Sequence, residues 1–296
     1  MILAITGATG FVGSHLVDQA LAAGHEVRAM TRREQPARER LTWVPGNLSG
    51  PGALVDGADA VIHVAGIVNA TDRAGFTSGN IDGTRSMIAA ANDAGVMRFV
   101  HVSSLAAREP ALSDYGWSKA EAEHLVEASA TNWAIVRPPA IYGPGDLDQL
   151  DLFKLARKGL ALLPPPGRLS LIAVDDLARL LLALAADRTA GMVYEADDGT
   201  AGLTSADYAR AIGTAVGQRV LPLHLPRGLL SLAATLDRRF RGARAKLTHD
   251  RVAYLCHPDW TIDPARRPPP ALWTPQVETR AGLADTARWY RAKGLL

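Results

Sequence analysis

The sequence predicts an α/β protein, a doubly wound and mostly parallel sheet of about seven strands with a smaller C-terminal lobe. Three features carry that prediction. Short, almost continuously apolar runs recur through the first two-thirds of the chain, helical patterns separate them, and the first run passes straight into the glycine-spaced turn TGATGFVG.

The runs, in order, are MILAITG (1–7), EVRAMT (26–31), LTWVPG (41–46), ADAVIHVAG (58–66), RFVHVSS (98–104), NWAIVRPP (132–139) and GMVYEA (191–196). Near-continuous hydrophobicity suits strands covered on both faces, as in a parallel sheet. Helical patterns lie between them: GSHLVDQALAAG (13–24), DGTRSMIAAANDAG (82–95, ending at a glycine) and VDDLARLLLALAADR (174–188). After about residue 140 the alternation loosens, and ALLPPPGRLS (161–170) and IDPARRPPPALW (262–273) read as loops. Residues 1–165 are therefore expected to form the first domain, which a helix and strand from 171–197 rejoin; 166–296 are expected to be mainly a substrate lobe.

Composition narrows the classes. Over 296 residues, 48% are hydrophobic, enough for a substantial core. A net charge of +2 gives no reason to expect nucleic acid as a partner. The single cysteine, Cys256, excludes an internal disulfide framework and a cysteine metal cluster. MILAITGATG lacks a signal peptide's basic flank, and LARLLLALAA (177–186) is too short to span a bilayer. A cytoplasmic protein with no integral membrane segment is the expectation, acting on a small molecule, with a homodimer left open.

Gly7, Gly10 and Gly13 stand three apart between a strand and a helix. Glycine permits the tight turn and lets backbone approach a pyrophosphate, which the helix N-terminus then stabilises. The alternative is a glycine-rich turn with no ligand. No GK[ST] follows, so this is not a triphosphate loop. A carboxylate closing the second strand would hold a ribose 2′-hydroxyl, but that strand ends at Thr31, Arg32 and Arg33. A guanidinium suits a 2′-phosphate instead, so NADP(H) is preferred over NAD(H), which stays open. Two solvated arginines are the plain alternative.

In SDYGWSKAEAE (113–123), Tyr115 and Lys119 share one helix face at i and i+4, and Ser113 reads as the N-cap. With TGATGFVG, HVAG (63–66), NIDGT (80–84), Ser103–Ser104, YGWSK and RPPAIYGPGD (137–146), the chain resembles the extended short-chain dehydrogenase/reductase family over nearly its whole length. The resemblance implies a Rossmann-type fold, with Tyr115 as general acid/base, Lys119 as its partner and Ser104, rather than Ser103, holding the substrate oxygen. For Asn80 the resemblance implies support of a nearby helix or water chain. Cofactor contacts are implied for Gly7, Thr9, Gly10, Phe11, Val12 and Gly13, for Arg32 and Arg33, for Asn47 and Leu48, for Ala65 and Gly66, for Tyr115 and Lys119, and for Pro138 and Ile141. GNL stands where many relatives have G-D-L, and Asn47 can still hydrogen-bond adenine. Ala173 replaces a frequent histidine before VDDLA, and Asp175 reads as a helix N-cap.

A tyrosine with pKa near ~10 needs a neighbouring ammonium to act near neutral pH. The expected reaction is hydride transfer to or from a small carbonyl or secondary alcohol. The segment LAAREPALSD, between Ser104 and Tyr115, is short for a sugar-nucleotide enzyme, so an epimerase/dehydratase is the runner-up. A non-catalytic NADP(H)-binding subunit is the third class. LLSLAATLDRRFRGARAK (229–246) joins an apolar stretch to Arg238, Arg239, Arg241, Arg244 and Lys246; a solvated helix end is preferred over a membrane or partner contact. His63 and His101 lack metal-ligand spacing and are expected in the core, so no metal is expected. Trp260, Trp273 and Trp289 are expected to pack in the C-terminal lobe.

Overall fold

The computed structural model describes residues 1–296 apart from Ala243, Arg244 and Lys246. The chain divides into two compact units, the first being Met1–Pro138, Asp175–Ala196 and Pro264–Thr274. Its seven strands are β1 (Ile2–Thr6), β2 (Glu26–Thr31), β3 (Leu41–Pro45), β4 (Ala60–His63), β5 (Arg98–Val102), β6 (Asn132–Val136) and β7 (Met192–Tyr194). They pair in the order β7-β6-β5-β4-β1-β2-β3, each pair parallel. Each strand lies inside one of the seven apolar runs. The reason is burial: every residue of β4 and β5 is covered, which only a strand sandwiched between helices requires.

The flanking helices include α1 (Phe11–Ala22), α2 (Gly83–Asp93), α3 (Asp114–Glu127) and α4 (Val174–Ala186). Met30, Leu54, Met87, Phe99 and Ile135 meet in one core cluster. Truncating a side chain such as Phe99 to alanine there would cost about 3–5 kcal/mol. The strand order reverses at β1, whose neighbours are β2 and β4. Beyond the carboxyl ends of such a switch point lies the crevice in which open α/β sheets bind ligands.

The second unit is Pro139–Val174, Asp197–Asp263 and Pro275–Leu296. Tyr142, Phe153, Tyr208, Ile212, Leu283 and Tyr290 form its core; its helices include α5 (Arg227–Arg241) and α6 (Thr279–Ala292). The division falls at Pro138 rather than near 165, because Ala140–Tyr142 pairs with Leu171–Ala173 inside this unit. ALLPPPGRLS is not simply a loop. Leu160–Leu163 pairs with Leu221–His224, and Arg168–Leu169 pairs with Leu203–Thr204 and Asp259–Trp260, leaving the prolines in the turn between. Residues 264–274 rejoin the first unit, where the Glu195 amide donates to the Arg266 carbonyl at 3.0 Å. Trp273 accordingly belongs to that unit, donating from Nε1 to the Asp176 carbonyl at 3.0 Å, while Trp260 is buried in the second unit and Trp289 packs at its core.

Asp175 is not an N-cap. Its helix starts one residue earlier, and the carboxylate turns instead to α1, 2.7 Å from His15 Nδ1 and 3.3 Å from Gln19 Nε2. The His15 hydrogen bond holds its pKa below the ordinary carboxylate value. No helix of the described residues is long and apolar enough to cross a membrane.

Candidate active site

The glycine turn leaves β1 at Gly7, whose φ of +70° a residue with a side chain rarely adopts. A Cβ on Gly7 would stand 2.8 Å from the Ala65 amide nitrogen, and one on Gly13 only 2.0 Å from the Gly7 carbonyl oxygen. The Gly10 amide closes the turn onto that same carbonyl at 2.9 Å. Helix α1 follows with no side-chain cap and no acidic residue in its first turn. Backbone stripped of side chains at an uncapped helix N-terminus is a cradle for an anion. Thr9, Phe11 and Val12 lie in or just after this turn, Ala65 and Gly66 just beyond β4. The Ala65 amide donates to Thr6 Oγ1 at 3.1 Å, so β1 and the segment after β4 are tied together.

At the end of β2, Thr31 Oγ1 accepts from the Arg33 amide and donates to its carbonyl, at 3.2 and 2.6 Å. That small turn turns Arg32 and Arg33 outward; both are exposed. Past β3, Asn47 Oδ1 accepts from the Ser49 amide at 2.8 Å, and Leu48 packs on the core. A side chain at Gly83 would meet Leu48 Cδ1 at 2.6 Å. Pro138 ends the first unit's first segment, and its carbonyl accepts from the Leu105 amide at 3.1 Å. Ile141 lies in the second unit, in the strand Ala140–Tyr142.

Helix α3 carries Tyr115, Lys119 and Glu123 at i, i+4 and i+8, hence along one face. Ser113 caps it, its Oγ accepting from the Gly116 amide at 3.0 Å. Half-buried Tyr115 has its ring centroid 6.1 Å from that of Phe76. Lys119 is buried, and its Nζ donates to the Val102 carbonyl at the end of β5, at 2.8 Å. Burial lowers its pKa to about 8, against the opposing pull of Glu123. Gly66 lies close by: a Cβ there would be 3.6 Å from Lys119 Nζ and 3.1 Å from Asn80 Oδ1.

Ser104 leaves β5 in an extended conformation and caps the short helix Leu105–Arg108, its Oγ accepting from the Ala106 amide at 3.2 Å. Ser103 instead donates its hydroxyl to Glu123. Asn80 sits in a π-helical turn, Thr77–Asp82. Its side chain accepts from the Ile67 amide at 2.7 Å and donates to the Ile67 carbonyl at 3.0 Å and Ser118 Oγ at 2.9 Å. Ser118 in turn donates to the Tyr115 carbonyl at 2.8 Å. Asn80 therefore braces the turn of α3 that presents Tyr115 against the segment after β4.

Sequence reading missed what stands behind these residues. Glu123 is clamped by Arg137, with Nη2 at 2.6 Å and Nε at 2.9 Å, and Glu195 lies 3.5 Å from Arg137 and 3.2 Å from Arg108. Glu123 was legible as the next member of the i+4 series; Arg137 and Glu195, from distant strands, carried no local signal. Gly116 was missed too. A Cβ there would stand 2.6 Å from the Ala106 carbonyl oxygen, so its bare backbone lets α3 close onto the Ser104 turn. His63 and His101 are buried in the core as expected, their rings stacked at 5.5 Å.

Residues 7–188 match a family model described as NAD(P)H-binding. The chain is 38% identical over 317 residues to the ceramide reductase of Caulobacter vibrioides, an alignment covering 100% of this chain and 96% of that one. It is 28% identical over 337 residues to sterol demethylase protein B of Methylococcus capsulatus, with 100% of both covered. Among solved structures, the dTDP-glucose 4,6-dehydratase DesIV of Streptomyces venezuelae, with NAD and TYD bound, superposes with a TM-score of 0.76 at 24% identity over 99% of this chain and 97% of that one. With a family model spanning most of the first unit and a relative aligned end to end, this chain belongs to the extended short-chain dehydrogenase/reductase family and is an NAD(P)-dependent oxidoreductase.

Proposed function

We propose that the enzyme is an NADP(H)-dependent reductase or dehydrogenase acting on a ketone or secondary alcohol of a lipid, with Tyr115, Lys119 and Ser104 at the reacting centre. The observation that carries this reading is the placement of Lys119: buried, one helical turn from Tyr115, its ammonium held at the end of β5 by the Val102 carbonyl. A charge fixed there favours the phenolate of Tyr115, which brings a phenol toward the range where it can exchange protons near neutral pH. Ser104 keeps its hydroxyl hydrogen, since its oxygen accepts from the Ala106 amide and it donates to no partner among the described residues. It is thus able to donate to a substrate oxygen.

The glycine turn suits a dinucleotide, because Gly7 and Gly13 pack bare backbone so closely on Ala65 and on the turn itself that no side chain at either position stands before the N-terminus of α1. Uncapped α1 would meet the phosphates, and Arg32 and Arg33 are exposed where a 2′-phosphate would lie. When bound, the cofactor supplies the hydride for the carbonyl carbon and leaves oxidised. Tyr115 delivers the proton to the forming alkoxide, Ser104 holds that oxygen, and Lys119 steadies the phenolate left behind. The reverse steps oxidise an alcohol. The lipid class is suggested by the names of the two full-length relatives, a ceramide reductase and a sterol demethylase component.

The test compares NADPH and NADH with a 3-oxo ceramide and a 3-oxo sterol in mixed micelles. Turnover with NADPH, lowered about 10²- to 10⁴-fold by Tyr115→Phe, is the expected result. Tighter binding of NADH, or of both cofactors equally, would overturn the reading of Arg32. Undiminished turnover in Tyr115→Phe would overturn the assignment of the acid.

A further inference from the structure

The surface of the second unit carries an apolar stripe that its own core does not use. Helix α5 exposes Leu229 (51%), Leu232 (56%), Leu236 (46%) and Phe240 (82%). At about 100° per residue these four fall within roughly 80° of the helix circumference and run about 16 Å along it. The helix is anchored by its other side. Ala234, its one buried residue, lies roughly 160° round from the middle of the stripe. On the two flanks of the helix, each roughly 100° from the middle of the stripe, Asp237 Oδ2 accepts from the Leu247 amide at 2.9 Å, and Thr235 Oγ1 meets His249 Nε2 at 3.1 Å. Solitary exposed leucines need no explanation, but four large apolar groups on one line do.

The charges around the stripe choose among occupants. Arg227 opens the helix and Arg238, Arg239 and Arg241 close it, against a single acidic residue, Asp237, which pairs with Arg241 at 3.2 Å. Arg244 and Lys246, the rest of the basic run, lie outside the described residues. A two-fold contact between copies would face this helix with its own arginines, an unfavourable pairing. An anionic bilayer offers both halves of the complement, acyl chains for the leucines and phosphates for the guanidiniums. Phe240 beside the arginines is suited to the boundary between them. The apolar surface also continues along the chain: the strand leading into α5 exposes Leu221 and Leu223, whose paired strand exposes Leu162.

We infer that α5 docks this enzyme on an anionic membrane surface, with Leu229, Leu232, Leu236 and Phe240 in the interface and Arg239, which borders the stripe roughly 60° from its middle, on lipid phosphates. The inference departs from the expectation of a merely solvated helix end because of the exposed line of Leu229, Leu232, Leu236 and Phe240. Docking on a bilayer does not depend on which ketone the enzyme reduces, so flotation and turnover fail separately.

The test is flotation of the full chain with vesicles of phosphatidylcholine and phosphatidylglycerol in equal parts, and with phosphatidylcholine alone, at low and high salt. Expected are binding to the anionic vesicles at low salt, loss at high salt, and about fivefold weaker partitioning for Arg239→Ser, with a smaller effect for Arg238→Ser on the far side of the helix. The triple variant Leu232→Ser, Leu236→Ser, Phe240→Ser should no longer float while keeping NADPH affinity and turnover of a water-soluble ketone. No flotation at low salt, equal flotation with phosphatidylcholine alone, or binding indifferent to both sets of substitutions would overturn the inference. So would a concentration-dependent dimer, seen by sedimentation, that the leucine substitutions dissolve, because the face would then belong to a second copy. If the triple variant fails to fold, the arginine variants decide.

Discussion

The Ser103 hydroxyl donates to the Glu123 carboxylate, which Arg137 clamps from its other side at 2.6 Å. Two adjacent serines are thereby separated in role. Ser103 is spent on a buried ion pair, while Ser104 accepts from the Ala106 amide at 3.2 Å and keeps its proton to give. Ser103→Ala should cost about 1–2 kcal/mol of stability, because a buried carboxylate loses one donor but keeps Arg137, and should leave kcat nearly intact. Ser104→Ala should lower kcat about 10²-fold, as loss of one donor to a developing oxyanion does, at about 1 kcal/mol or less for the lost cap. Urea unfolding and steady-state turnover of both variants check this. Greater loss of turnover in Ser103→Ala would exchange the two assignments.

Lys119 is the second test. Burial brings its pKa down to about 8, and Glu123, one turn further along α3, pulls the other way. Only five lysines are present, so labelling lysine Cε with ¹³C gives a spectrum in which one resonance should titrate near that value. It should vanish in Lys119→Met and move lower still in Glu123→Gln, which removes the charge that raises it. Stability follows with a definite sign. Between the folded value of about 8 and the unfolded value near ~10.4 the unfolded chain holds more protons, so stability rises with pH across that window. All five resonances titrating together near ~10 would sink the claim.

Gly116 sets two magnitudes against each other. Replacing an interior helix glycine by alanine ordinarily stabilises by about 1 kcal/mol. Here the new methyl would stand 2.6 Å from the Ala106 carbonyl oxygen and 3.2 Å from that of Glu109, and overpacking of this kind costs about 1–3 kcal/mol. Backbone does not yield as a flexible side chain does, so the clash should win. Gly116→Ala is expected to be less stable and to lose turnover by shifting Tyr115 relative to the Ser104 turn. Gly228→Ala, in α5 with nothing within 4 Å of the added atom, should be neutral or stabilising. Thermal melts of the pair decide it.

What the sequence showed and what it hid divide along a physical line. All seven strands were legible because a strand buried on both faces has to be apolar throughout, as Arg98–Val102 is buried throughout. The glycine turn was legible because Gly7 and Gly13 leave no room for side chains. Local helix spacing gave Tyr115, Lys119 and the Ser113 cap. Partners joined across the sheet were hidden: Arg137 and Glu195 reach Glu123 and Arg108 only once β6 and β7 lie beside β5. Asp175 misled for the same reason. An aspartate at a helix start looks like a cap until His15, 160 residues away, supplies a better partner.

The last prediction rests on the two histidines under the sheet's carboxyl edge. His63 Nδ1 stands 2.8 Å from Thr6 Oγ1, and Nε2 stands 3.2 Å from Thr84 Oγ1, which gives its own hydrogen to the Asn80 carbonyl. Thr84 can then only accept, which assigns the proton of the neutral ring to Nε2. His101, stacked on His63, has no hydrogen-bond partner at either ring nitrogen among the described residues. Burial first, and the Lys119 charge second, lower the pKa of His63 to about 3 and that of His101 well below its ordinary value. Below pH ~6.5 the unfolded chain therefore takes up protons that the folded chain refuses, and each histidine removes about 1.4 kcal/mol of stability per pH unit. His101→Leu should leave stability at neutral pH unchanged or about 1 kcal/mol higher, since it discards two unpaired polar atoms, and should flatten the acid slope by one histidine's share. His63→Leu should instead cost about 1–3 kcal/mol at neutral pH by stranding Thr6 and Thr84. Urea midpoints across the range from neutral to mildly acid measure both slopes, and an acid slope untouched by His101→Leu would mean that His101 already carries its proton in the fold.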